Sequence, residues 1–154
     1  MSTFNVSRSA FIPSPAGDIF PFVTSFREWI NWSPWEGLDP SMNRTYSGPV
    51  EGVGAKYAWR GSGRAGAGTM EILEVVEPSR IHIRLEFSKP MKSVNSITFT
   101  FAPEGHGTLV TWSMTGENKG LGRVLMLFIN MEKMVGGDFE KGLAQLSAVV
   151  AAKG

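Results

Sequence analysis

Residues 57–76, YAWRGSGRAGAGTMEILEVV, decide between two folds for this chain. Gly61, Gly63 and Gly66 have the spacing G-x-G-x-x-G, which dinucleotide-binding proteins use to hold a pyrophosphate. That use requires a strand before the glycines and a helix after them, because the helix N-terminus supplies the N–H groups. Residues 57–60 predict the strand, but apolar and polar residues alternate again from Gly68 onward, which predicts a second strand. The sequence therefore predicts a flexible glycine-rich hairpin turn and no nucleotide site.

Alternation continues beyond this hairpin and predicts an antiparallel sheet. Residues 81–87, IHIRLEF, place apolar side chains on one face and charged side chains on the other, as expected of a strand that is covered on one side only. Residues 96–101 and 109–115 follow the same pattern, with a hairpin turn at residues 104–107. Strands that follow one another without intervening helices favour an α+β fold over a parallel sheet.

The N-terminal residues predict a strand followed by two short helices. Residues 4–12 alternate, and Ser14 and Pro15 then have the residue types of a helix N-cap and first helical position. Pro21 lies inside the apolar pattern that follows and is expected to kink or split the first helix. A second short helix is expected over residues 26–32.

The C-terminal third is predicted to be helical in two parts. Residues 118–135 have apolar residues at helical spacing and predict an additional helix. Gly136 and Gly137 are expected to interrupt it, and Asp138 to cap a final helix. That helix carries one apolar stripe, formed by Phe139, Leu143, Leu146 and Val150.

Composition excludes several classes of function. The chain has 154 residues, which suits one domain over residues 1–154, and its 15 basic and 14 acidic residues do not predict a nucleic-acid surface. It has no cysteine, which excludes disulfides and thiolate chemistry, and its two histidines lie far apart in sequence. The longest apolar run, residues 124–129, is too short to span a membrane. We therefore expect a cytoplasmic protein without metal or cofactor.

Several motifs together resemble the polyketide cyclase/dehydrase-like members of the START/Bet v 1-type (SRPBCC) superfamily. They are the residues WSPWE at 32–36, Tyr57-x-Trp59-x-Gly61, Gly66-x-Gly68-x-Met70, Gly107-Thr108-x-Val110-x-Trp112 and Asp138-Phe139-x-x-Gly142-Leu143. The resemblance covers essentially the whole chain. It implies a helix-grip fold, in which a curved antiparallel sheet wraps around a long C-terminal helix, with two short helices after the first strand.

The resemblance also implies an apolar cavity between sheet and helix that binds a hydrophobic small molecule such as a lipid, a polyketide or an aromatic compound. The side chains expected to line it are Arg8, Trp35, Tyr57, Trp59, Met70, Ile72, Ile83, Leu85, Asn95, Phe99, Phe101, Trp112, Met114 and Phe139. Arg8 and Asn95 are the two polar residues of this set. They are included because their positions in the strands predict that their side chains point inward. The alternative, that the apolar members only fill the core, stays open.

Two other functions stay open. A cyclase or dehydrase would need a base and an oxyanion donor, for which the residue types are His82, Glu71, Glu74, Arg8, Arg60 and Asn95. The alternation predicts that His82 and Glu71 face solvent, so no catalytic residue is assigned. An interaction module would use the additional helix of residues 118–135, with a homodimer as one outcome. No nucleic-acid partner and no stable membrane insertion are expected.

Overall fold

The computed structural model describes the backbone of residues 2–37, 39–62, 66–89, 92–118 and 122–153, with side chains except at residues 2–3, 37, 117–118 and 122–132. Its elements are β1 (Ser2–Ile12), α1 (Ala16–Thr24), the 3₁₀ helices η1 (Phe26–Asn31) and η2 (Pro34–Gly37), β2 (Asn43–Ser47), β3 (Lys56–Arg60), β4 (Ala67–Val76), β5 (Arg80–Lys89), β6 (Ser93–Glu104), β7 (Gly107–Asn118) and α2 (Gly122–Lys153). This order confirms the predicted α+β architecture, and η2 is an element that the sequence patterns did not predict.

The strands form one antiparallel sheet in the order β1-β7-β6-β5-β4-β3-β2. Only the pairing of β1 with β7 joins strands that are distant in sequence, and all other neighbours are consecutive. Helix α2 packs most extensively against β1, and it also contacts β7, α1, η1 and η2. The curved open sheet with its C-terminal helix is the helix-grip fold that the sequence predicted.

The glycine-rich stretch joins two antiparallel strands, as predicted. Tyr57 lies opposite Met70 and Trp59 lies opposite Gly68, so β3 and β4 form a hairpin. Gly68 has a packing role, because a side chain there would meet the ring of Trp59 at 2.6 Å. Residues 63–65 lie outside the described residues, so the flexibility of this turn stays a prediction.

Helix α1 corrects two predictions. Its N-cap is Pro15 rather than Ser14, and Pro21 lies inside a continuous helix, so it does not split the helix in two. Tertiary hydrogen bonds satisfy the C-terminal end of this helix. The indole N–H groups of Trp29 and Trp32 donate to the carbonyls of Val23 and Phe22, at 3.0 and 2.8 Å. These carbonyls would otherwise lack partners at a helix C-terminus.

Helix α2 corrects the third prediction, since residues 122–153 form one helix and the expected break at Gly136 and Gly137 is absent. From residue 122 onward, the additional helix expected over residues 118–135 is therefore the first part of α2, whereas Asn118 ends β7 and residues 119–121 lie outside the described residues. Each glycine costs about 1 kcal/mol relative to alanine in a helix, which burial of one helix face offsets. Phe139, Leu143 and Leu146 are fully buried on that face.

The apolar side chains of α1, η1, α2 and the inner sheet face form one hydrophobic core. Among the described residues, no helix combines the length and the apolar character that crossing a bilayer requires.

Candidate functional site

Strand register arranges the residues predicted for the cavity in rows across the inner face of the sheet. One row runs from Tyr57 through Met70 and Leu85 to Asn95. The structure buries eleven of the fourteen, namely Tyr57, Met70, Ile72, Ile83, Leu85, Asn95, Phe99, Phe101, Trp112, Met114 and Phe139, and leaves Arg8, Trp35 and Trp59 partly exposed. The predicted residues therefore do come together, and the apolar ones belong to the core or pack against it.

Trp112 is the centre of an aromatic cluster between β7 and α2. Its ring stacks on Phe139 with centroids 4.1 Å apart and planes 11° apart, and on Phe99 at 5.0 Å. Trp32 and Trp35 contact it edge-on at 5.5 and 5.4 Å. Such arrangements of aromatic rings stabilise a core beyond the area that they bury.

The indole N–H groups in this cluster differ in whether they have a hydrogen-bond acceptor. Those of Trp29 and Trp32 donate to backbone carbonyls of α1, and that of Trp35 donates to Asp138 at 3.3 Å. The N–H of Trp112 has no hydrogen-bond partner among the described residues, although its side chain is fully buried. Buried donors are nearly always paired in native proteins, so this one calls for an acceptor.

A group of polar side chains lies where η2 meets β2 and β3. The Glu36 carboxylate accepts from the Tyr57 hydroxyl at 2.7 Å and from Arg44 Nε at 2.7 Å. Arg44 Nη2 also donates to the Glu36 carbonyl at 2.9 Å. The Glu36 side chain is only 8% exposed, and that of Arg44 is 20% exposed. This ion pair therefore lies in a partly desolvated place, where the two charges depend on each other.

Both tyrosines beside this ion pair hold their protons strongly. Burial raises the pKa of Tyr57 well above its usual value, and the hydrogen bond to Glu36 raises it further. Burial also raises the pKa of Tyr46, which lies 5.3 Å from the Tyr57 ring and has the Arg27 guanidinium 4.5 Å above its own ring. At neutral pH both phenols are thus neutral donors.

The two predicted polar residues of the cavity have different surroundings. Asn95 is buried and donates weakly to Ser93 Oγ at 3.3 Å. Arg8 lies opposite Trp112 in the sheet, but its Nε donates to Glu140 of α2 at 2.8 Å, and its side chain is 29% exposed. Asn95 is therefore an interior group, whereas Arg8 joins sheet and helix at the edge.

A cavity of about 560 Å³ lies at the end of the sheet formed by the β3–β4 and β5–β6 hairpins. Its lining includes Thr45, Ala58, Thr69, Glu86 and Val94, which register places on the outer face, opposite to Tyr57 and Met70. Trp59 is the one predicted site residue among those that line it. The cavity is thus largely distinct from the predicted interior one.

The remaining candidates for acid–base chemistry lie away from the interior. His82 is on the outer face, with Nε2 2.6 Å from Ser96 Oγ, and Glu74 pairs with Arg80. His106 is exposed in the β6–β7 turn. Within the described ranges, no three side chains of the types His, Asp and Glu form a group that could hold a metal ion.

Sequence reasoning missed Glu36 and Arg44 as site residues. Glu36 entered only as one letter of the motif at residues 32–36. Arg44 carried a usable signal, because it occupies an inward position between Met42 and Tyr46 in an alternating strand. An arginine at an apolar position of such a pattern predicts a buried acidic partner, and only the fold identifies it as Glu36.

Comparison with known proteins agrees with the fold described above. A family model described as "Polyketide cyclase / dehydrase and lipid transport" matches residues 3–151. A search of curated proteins gives no match.

Solved structures share the fold at low sequence identity. TTHA0849 from Thermus thermophilus has a TM-score of 0.70 and 20% identity, covering 97% of this chain and 99% of that one. Ara h 8.0201 has a TM-score of 0.63 and 13% identity, covering 98% and 99%. DynU16, a protein of the dynemicin biosynthetic locus, has a TM-score of 0.65 and 13% identity, covering 96% of this chain and 47% of its own.

Proposed function

Since the chain belongs to the polyketide cyclase/dehydrase and lipid transport family, we propose that it binds a hydrophobic small molecule between the inner sheet face and α2. The unpaired N–H of Trp112 carries this proposal. An unsatisfied buried donor costs about 1–3 kcal/mol, and a ligand that brings an oxygen acceptor into the aromatic cluster removes that cost. The ligand is therefore a largely apolar molecule with a carbonyl, ether or hydroxyl oxygen.

Entry of such a ligand requires α2 to separate locally from the sheet, because the side chains between them are buried in one hydrophobic core. Two contacts that fasten this helix lie at its partly exposed edge, Arg8 to Glu140 and Trp35 to Asp138. The Arg8–Glu140 pair is exposed enough to contribute less than about 1 kcal/mol. Separation therefore breaks a weak ion pair at this edge.

The first experiment identifies what the protein carries. Protein purified under native conditions is extracted with organic solvent, and the extract is analysed by mass spectrometry against a denatured control. We expect a co-purifying apolar compound that contains oxygen. Thermal shifts with oleic acid, a sterol and a flavanone extend the search. No co-purifying compound together with no thermal shift would contradict the proposal.

The second experiment tests the role of the Trp112 donor. 1-Tetralone and tetralin have nearly the same shape, but only the ketone offers an acceptor. We expect tetralone to bind more tightly and to move the Trp112 indole N–H resonance downfield. Trp112→Phe should abolish the preference for the ketone. Trp32→Phe is the matched control, because it removes an indole from the same cluster whose N–H already has a partner.

Catalysis of the cyclase or dehydrase type is the second candidate function, and the Tyr57 hydroxyl favours it. The single Tyr57 O–H donates to Glu36 in the free protein, and once turned from Glu36 to a substrate this neutral phenol is a donor of the kind that an enolate oxygen requires. Exchange of the acidic C–H protons of a β-diketone with deuterium, followed by NMR, tests it. Faster exchange with the wild type than with Tyr57→Phe supports the enzyme, and equal rates leave the binding function alone.

A further inference from the structure

We propose that the cavity at the hairpin end of the sheet is a second binding site, which takes a small organic anion with a flat apolar body. Its volume of about 560 Å³ lies within the range of small-molecule sites. Most of its lining faces away from the core, so its occupant is not the interior ligand. This inference does not depend on the proposed function.

Small residues give the cavity its depth. Ala58, Ala67 and Gly68 contribute to its lining, and the β4–β5 pairing shifts register between the last two. A register shift of this kind bends the strand. The space beside Gly68 is filled by the Trp59 ring, so Ala58 and Ala67 are the small side chains that leave room in the cavity.

Apolar side chains form part of its walls. Trp59 and Phe87 are partly buried and contact each other edge to face, with ring centroids 5.7 Å apart. Val94 is 59% exposed and lies on the opposite side of the sheet from the core. Val94 therefore lines the cavity from the outer face, while Trp59 and Phe87 line it from the inner face, and such apolar walls suit the body of a ligand.

Charge decides the class of ligand. Arg60 and Lys92 both line the cavity and are exposed, and among the described residues neither forms an ion pair. Glu86 is the acidic residue of the lining, and its carboxylate pairs with Arg84. The lining therefore offers two cations without partners, which complement a carboxylate, sulfate or phosphate group.

The test compares 2-naphthoate with its neutral analogue 2-naphthylmethanol by ¹H–¹⁵N NMR. We expect 2-naphthoate to shift the amide resonances of Ala58, Thr69, Glu86 and Val94, and the neutral analogue to bind about tenfold more weakly. The same mapping separates this site from the interior. Shifts confined to interior residues, equal affinity for both probes, or no shift with either probe would overturn the proposal.

Two variants sharpen the result. Arg60→Gln combined with Lys92→Gln should lower the affinity for 2-naphthoate about tenfold and leave that for 2-naphthylmethanol unchanged. Lys56→Gln is the matched control, because it removes an exposed cation from the same strand outside the cavity lining. Ala58→Leu fills the cavity and should block both probes. If it blocks neither, the site is not where we place it.

Discussion

The guanidinium of Arg8 occupies the space that a side chain at Gly136 would need. A Cβ atom at position 136 would lie 3.1 Å from Arg8 Nε and closer still to the rest of the guanidinium. From this position Arg8 reaches Glu140 one turn further along α2. A glycine that interrupts the helical pattern in sequence is thus the place where a strand residue approaches the helix backbone.

This relationship predicts different effects for two adjacent glycines. A Cβ at Gly137 would meet no atom within 4 Å, so Gly137→Ala should raise the free energy of unfolding by about 1 kcal/mol. Gly136→Ala should raise the free energy of unfolding less, or lower it, because Arg8 must move and lose its ion pair with Glu140. Urea denaturation measures both. In an Arg8→Ala background the two substitutions should become equivalent, and a difference that persists there would contradict the assignment.

The Glu36–Arg44 pair predicts a large effect when one partner is removed. Arg44→Met leaves a carboxylate that is 8% exposed without its counter-charge, so the free energy of unfolding should fall by about 3 kcal/mol. Adding Glu36→Gln to that variant removes the buried charge and should restore much of the loss. Chemical denaturation of the two variants tests this. An unchanged or larger loss in the double variant would mean that packing, and not charge, dominates.

The two tyrosines predict the behaviour of the protein in alkali. The pKa values of Tyr46 and Tyr57 are raised above 10 by burial, while the unfolded chain ionises its tyrosines near 10. The unfolded state therefore binds fewer protons above pH 10, and stability should decrease as pH rises beyond that value. Absorbance at 295 nm should show no phenolate step near pH 10 before unfolding. Tyr57→Phe should make the alkaline loss of stability shallower.

Asp39 predicts the behaviour in acid. Hydrogen bonds from the backbone N–H groups of Ser62 and Ser41, followed by the Ser41 hydroxyl, lower its pKa to about 2. Its contribution to stability is present above about pH 4, the unfolded value, and is lost as pH falls through about 2. Carboxyl ¹³C NMR should follow this titration directly. Ser62→Ala should change the pKa of Asp39 only slightly, because the backbone N–H of residue 62 remains. Titration of Asp39 near pH 4 in the wild type would refute the assignment.

The sequence identified the residues of the interior site wherever strand parity determines which side chains point inward. Tyr57, Met70, Ile83 and Phe99 alternate with polar neighbours, and one buried face requires each of them to point inward. Asn95 was found by the same argument. Parity did not distinguish a packed interior from a hollow one, because that depends on how helix and sheet side chains interlock.

The outer cavity was not accessible from sequence. Its lining joins residues of β2, β3, β4, β5 and β6, and it includes small alanine side chains, one of them beside a register shift in β4. Arg60 was considered only as a candidate for acid–base chemistry. No local pattern indicates that Arg60 and Lys92 lie at one cavity.

Sequence alone determined the antiparallel sheet, the hairpin at the glycines and the identity of the inward faces, because residues that alternate with period two specify one buried side of each strand. Tertiary structure alone decided the continuity of α1 and α2 through Pro21 and the Gly136–Gly137 pair, where packing outweighs local propensity. It also decided which polar groups meet, Glu36 with Arg44 and Tyr57, and which buried donor, that of Trp112, finds no acceptor in the part of the chain that the structure describes. These contacts join residues that are distant in sequence, and their geometry exists only once the chain has folded.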